Sequence, residues 1–219
     1  MEELYERILE EFDRDSFRGE CCFSLGDCHP GAILLPSWGL LAETQSKSNV
    51  LFPEPIVAVI DWEFSEISGR GVNGDMAQFV ASLHCHWLYL EALLESIGND
   101  SETSDKESGI RKALAVTDAF IRGICMSYAE VLIRTFASDV MGQRLRSTVI
   151  LFGRETINQA YETAWDLEGY AISRDENRMV VAGAGYLRKA GKDVSEALEI
   201  WSDHMEEKGI ISMLFGFLR

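Results

Sequence analysis

Residues 25–35 read LGDCHPGAILL, and residues 59–64 read VIDWEF. Each stretch sets an aspartate beside an apolar, strand-like run. Asp27 falls in a loop directly after the short run Cys22–Leu25, and His29, Pro30 and Gly31 follow it. Ile33–Leu35 then reads as another strand. Asp61 closes Ile56–Ile60, a β-branched apolar run with the composition of a buried strand. Two carboxylates at strand ends are the arrangement used for chemistry on a hydroxyl or a metal, so the relation between these stretches decides what kind of domain this is.

A carboxylate fixed in a rigid loop can accept a proton from a substrate hydroxyl that comes within hydrogen-bond reach. Asp27 is the candidate base. Asp61 is followed two residues on by Glu63. In an extended segment, residues i and i+2 point the same way, so these two carboxylates are the candidate ligands of one hard cation. Magnesium suits such a pair, since it takes one or two carboxylates and completes its shell with phosphate oxygens and water. A base on one loop and a metal ligand on the next is the layout of phosphoryl transfer.

Upstream, Leu4, Ile8, Leu9 and Phe12 share one face of an expected first helix. Residues 37–55 read as a hairpin connection with a strand over Leu40–Glu43, and residues 65–74, with Gly69, Gly71 and Gly74, read as a loop. From Asp75 the period turns helical: Met76, Phe79, Val80, Leu83 and Trp87 recur at three and four, to about Ile97. Residues 98–109 form a polar linker. Helices are expected over 110–137, 143–166, 174–190 and 193–208, ahead of an apolar tail, Ile210–Leu218. A few short strands followed by a run of helices predicts an α+β fold, mainly helical, in a single domain over 1–219. Its parts are 1–74, with the two loops, and a helical subdomain over 75–219.

Hydrophobic residues make up 47% of the 219, enough to build a real core and to exclude wholesale disorder. Lys and Arg number 20 against 36 Asp and Glu, a formal net charge of -16. Such a surface repels phosphate backbones and anionic lipid, which excludes nucleic-acid or membrane-surface binding as a primary role. No run of about 18 apolar residues is present to span a bilayer. Five cysteines, an odd number with no CxxC, and an acidic amphipathic N-terminus predict free thiols and a cytoplasmic location. His84 and His86 sit at i and i+2 of a helix and point apart, so no shared metal is expected of them. Trp87, Tyr89, Trp165 and Trp201 read as core or groove aromatics. The run GAGYLRKAG at 183–191 lacks both the GK[ST] ending and a preceding strand of a phosphate loop, and reads as a close helix contact.

The order of these parts resembles a known family. Gly26-Asp27-Cys28-His29-Pro30-Gly31-x-Ile33-Leu34 is similar to the catalytic loop of aminoglycoside phosphotransferases and choline-kinase-like enzymes, usually HGDxHPGNIL. Ile60-Asp61-Trp62-Glu63-Phe64 is similar to their metal-binding IDWE segment, and Gly74-Asp75-Met76-Ala77 to the aspartate that opens the next helix. The resemblance is strong over residues 20–95 and extends to 219 only by element type. It implies the C-terminal lobe of a protein-kinase-like fold, with Asp27 as catalytic base and Asp61 as principal magnesium ligand. Glu63 would be a second ligand, as in the aspartate-x-glutamate pair of methylthioribose kinases. His29 and Trp62 would support the loop or the substrate. Asp75 would be structural, capping its helix for about 1 kcal/mol. The cofactors implied are ATP and Mg2+, the partner a small hydroxylated molecule.

The chain departs from the pattern where Leu25 replaces the usual His before Gly-Asp and where Ala32 replaces a metal-binding Asn. About 25 residues precede Asp27, so no complete N-terminal lobe with its phosphate-holding lysine is expected, unless a further segment or a protein partner supplies it. Two functions follow. One is an ATP-dependent small-molecule kinase domain, truncated or degenerate. The alternative is a non-phosphorylating, pseudokinase-like domain that binds a small molecule or protein and needs no cofactor.

Overall fold

From Cys22 onward the described strands come before the long helices. In the computed structural model the residues described are Glu6, Leu9, 22–34, 58–61, 63, 65–69, 72–97, 104–135, 138–162 and 178–190. Among the described residues, four strands form two small antiparallel pairs: β1 (Cys22–Ser24) with β4 (Glu66–Gly69), and β2 (Ile33–Leu34) with β3 (Ala58–Val59). In the second pair Ile33 faces Val59 and Leu34 faces Ala58. Four helices follow: α1 (Val72–Ser96), α2 (Ser104–Thr135), α3 (Ser138–Glu162) and α4 (Arg178–Lys189). The fold is α+β and mainly helical.

Two helices form the centre. Along α1, Ala77, Val80, Ala81, Leu83, Leu88 and Ala92 are all buried, on more than one side of the helix. Every residue from Arg146 to Gly153 of α3 is buried as well. A helix that is apolar nearly all round lies inside other elements, whereas a surface helix carries one apolar stripe. Accordingly, α3 packs on both α1 and α4, while α2 leans on α1 through a single face that includes Ile121, Cys125, Tyr128 and Leu132. Arg178 at the start of α4 pairs with Glu91 and Glu95 of α1, tying the far end of the bundle together.

The contact between α3 and α4 is close because glycine meets glycine. A β-carbon on Gly153 would lie 2.8 Å from the Gly183 carbonyl oxygen, and one on Gly183 would lie 2.6 Å from that of Gly153. The GAGYLRKAG run is thus a helix contact, as its sequence suggested. Beside it, the His84 ring stacks on Trp87 at 6.1 Å and lies 5.7 Å from Phe152 and 6.1 Å from Tyr186. Burial pushes the imidazole down to about 4, so it is neutral at pH 7.

The structure differs from the sequence expectations in places. Residues 66–69 are strand rather than loop, because pairing with β1 outweighs the local glycine content. The helix expected from 110 begins at Ser104. Asp105 and Glu107 complement its N-terminal dipole, and Glu107 pairs with Arg111 one turn on. The helix expected over 143–166 spans 138–162. The strand before Asp61 is not buried: Ala58 is exposed and Ile60 is 38% exposed. The pattern over Leu4–Phe12 falls mostly outside the described residues. The Leu40–Glu43 strand, the helix over 193–208, Trp165, Trp201 and the apolar tail fall wholly outside them. Among the described residues no helix is long and apolar enough to cross a membrane.

Two outcomes follow from this packing. Gly183→Ala should lower the urea-unfolding stability by about 1–3 kcal/mol through overpacking. Gly185→Ala, whose β-carbon would meet nothing within 4 Å, should be neutral or slightly stabilising. His84 supplies the second. In the unfolded chain a histidine titrates near 6.5, so below that pH the unfolded state binds the extra proton. Stability should be flat above about pH 6.5 and fall towards pH 4, by at most roughly 3 kcal/mol. His84→Phe should flatten that slope in a pH series of thermal melts.

Candidate functional site

The loop that carries Asp27 is held by α1. Gly26 adopts a left-handed backbone, φ 79°, and turns the chain out of β1. Leu25 N–H donates to Asp75 Oδ2 at 2.8 Å, and Gly26 N–H donates to Oδ1 of the same carboxylate at 3.1 Å. Cys28 N–H donates to Gln78 Oε1 at 3.4 Å. One turn of α1 therefore clamps the backbone on both sides of Asp27, whose own side chain is exposed. The Cys28 side chain turns the other way, into the main core. Burial first, then Asp75 and Asp27, push its thiol up to about 11, so it is a protonated packing residue.

Asp75 is structural, but not as the N-cap that its position in the sequence suggested. It lies inside the first turn of α1, which begins at Val72, and both its oxygens reach across to the loop. Nothing local signals this: the partners lie 50 and 49 residues away. Sequence reasoning also missed Gln78, a polar residue on a helix face that otherwise reads as core.

After Asp27 the chain makes a tight 3-10 turn, Pro30–Ala32. Proline supplies the preset φ at its first position, and Ala32 N–H donates to the His29 carbonyl at 3.0 Å. The chain then enters β2. Its pairing with β3 continues one step further, where Ile60 N–H donates to the Ala32 carbonyl at 2.9 Å. That pairing brings Asp61 to the loop's edge: His29 Nε2 lies 3.7 Å from Asp61 Oδ2. Asp61 has a left-handed backbone, φ 62°. That conformation costs a residue with a β-carbon about 1–2 kcal/mol, with Asp among the few that visit it readily. Such positions concentrate at functional sites.

Glu63 is exposed and sits in a 3-10 turn. Asp61 itself, at φ 62°, is not extended, so the i, i+2 alignment expected of the two carboxylates lacks its extended starting residue. Trp62 lies outside the described residues. Ala32, where the resembled motif has Asn, is 1% exposed and packs as a core methyl.

Among the described residues, no group of three or more His, Cys, Asp or Glu side chains is arranged to hold a metal ion. His84 is enclosed by aromatic rings, His86 is exposed, and Cys85 is buried with its thiol pushed up to about 12. At the loop, Asp61 offers a single hard-donor carboxylate, its side chain 43% exposed, the donor type that magnesium takes when phosphate oxygens and water complete its shell.

Compared with known proteins, the chain matches no protein-family model, no curated protein and no solved structure.

Asp75→Asn replaces one accepting oxygen with an amide donor that faces a backbone N–H. It should cost about 1–3 kcal/mol of stability. It should also raise the hydrogen-exchange rates of the Leu25 and Gly26 amides well above those of the α1 core. Unchanged exchange at those amides would mean the carboxylate does not hold the loop.

Proposed function

We propose that this chain is the helical lobe of a small-molecule phosphotransferase of the aminoglycoside phosphotransferase and choline-kinase-like type. The observation that carries the reading is the β2–β3 pairing, which sets Asp61 against the Asp27–His29 loop. In this reading the exposed Asp27 carboxylate accepts the proton of a substrate hydroxyl as that oxygen takes the γ-phosphoryl group of ATP. The loop clamp keeps Asp27 in place without using its carboxylate. Asp61, with Glu63 as an outer candidate, would hold Mg2+. The ion supplies charge neutralisation on the phosphate oxygens. The acceptor is a small hydroxylated molecule, and the -16 net charge favours a cationic one. Cover for the nucleotide, which the resemblance assigns to a strand-rich lobe, would come from a further segment or a protein partner.

One observation favours a second reading. Ala32 offers no oxygen and its methyl is packed away, so a ligand present in the resembled motif is lost outright. A domain of this ancestry that binds a small molecule or protein without phosphorylating it fits that loss.

The two readings separate on one set of measurements. In the first, ATP with Mg2+ raises the melting temperature of the full chain more than either alone, and Asp61→Asn abolishes the increment. Asp27→Asn keeps the increment while removing phosphoryl transfer to an acceptor panel. If neither ATP nor Mg2+ nor both shift the melt, the kinase reading fails. If ligand binding and biological activity survive Asp27→Asn unchanged, the second reading stands.

A further inference from the structure

We propose that Gly31 and His29 act as one positioning unit for Asp61. The missing side chain at 31 is the seat of the His29 ring, and from that seat the ring meets the Asp61 carboxylate. The inference rests on the phosphotransferase reading for the purpose of the contact, and on the coordinates for its geometry.

A β-carbon at position 31 would lie 3.0 Å from both Cε1 and Nδ1 of His29. That is tighter than most methyl–ring contacts, so a side chain at 31 would push the imidazole aside by a few tenths of an ångström. Gly31 has no positive-φ requirement. Its side-chain space, and not its own backbone, is therefore what the ring takes up. The second ring nitrogen, Nε2, bonded to that same Cε1, lies 3.7 Å from Asp61 Oδ2. The ring is rigid, so displacing the Nδ1–Cε1 edge carries Nε2 with it.

The backbone fixes the direction from which the ring comes. His29 is extended, φ -128° and ψ 161°, and Pro30 locks the step into the 3-10 turn. On the other side, Asp61 is set by its left-handed φ and by the strand pairing that ends at Ile60. Two backbone corners therefore bring two side chains together, and glycine at 31 leaves the ring undisplaced. A carboxylate that ligates a cation through one oxygen gains orientation when the other faces a donor. His29 Nε2 stands at ion-pair distance from Oδ2, 3.7 Å, and Oδ1 would be the oxygen offered to a cation. Its role is that of a positioning residue: it acts through Asp61 and touches no reactant.

The test is equilibrium binding of Mn2+ with ATP to the full chain at one fixed pH, followed by water-proton relaxation. The series is the parent chain with Asp61→Asn, His29→Ala, His29→Gln and Gly31→Ala. The parent should bind and Asp61→Asn should not. His29→Ala and Gly31→Ala should each weaken binding about 5-fold, a modest figure because the pair is half-exposed. His29→Gln, whose amide N–H can face Asp61 from the same side, should stay within about 2-fold of the parent, as a conserved donor predicts. Equal loss in His29→Ala and His29→Gln overturns the proposal, since it would mark ring packing instead of a donor. Parent-like binding by His29→Ala overturns it too, and leaves the phosphotransferase reading intact because Asp61→Asn still fails. A parent that binds no better than Asp61→Asn removes both. Should Gly31→Ala not fold, as judged by its melt, the two His29 variants decide.

Discussion

The carboxylate of Asp75 takes two backbone amides from a loop fifty residues earlier in the chain, and the arrangement of the site depends on it. Hydrogen bonds to a charged acceptor contribute about 1.5–3 kcal/mol, more than neutral ones, because the acceptor carries a full charge. Here they also choose a conformation. Leu25 and Gly26 are turned so that their N–H groups converge, Gly26 takes up the left-handed turn, and Cys28 drops into the core. Asp27 is left on the outside of the turn. Position is thus transferred from the most rigid element, a helix buried on several sides, to a loop with few contacts of its own.

The ionisable groups divide into two populations by the same logic. Cys28, Cys85, Cys125 and His84 lie in or against the hydrophobic clusters, and burial drives each towards its neutral form. Their chemistry is switched off and their volume is used. Asp27, Asp61 and Glu63 remain partly or wholly exposed, so they stay accessible. The buried groups therefore contribute volume to the core and support to the loop.

Much of this was legible in the sequence, and the limits have physical causes. The helical period from Asp75 onward announced α1, because a buried helix imposes spacing on its own residues. The strand–loop–strand rhythm around Asp27 and Asp61 was legible from β-branched and apolar runs broken by Gly and Pro, although burial could not be read from those runs. Interactions whose partners lie far apart were not. Glu66–Gly69 reads as a loop until β1 pairs with it, and Asp75 reads as a cap until Leu25 and Gly26 arrive. The burial expected of Ile56–Ile60 came from composition alone, whereas exposure of Ala58 and Ile60 depends on what packs over them. Helix starts shifted by a few residues where charge, and not hydrophobic spacing, extended the first turn.

Gly153 and Gly183 face each other across the α3–α4 contact, each filling the room the other would need for a side chain. Their histories are therefore joined. A methyl gained at one position forces the helices apart, and once apart they no longer penalise a methyl at the other. Drift at this pair should be rare and, when it happens, should come as a linked change with the neighbouring Leu187 or Ile157. A lineage that carries alanine at both positions would have a wider helix spacing.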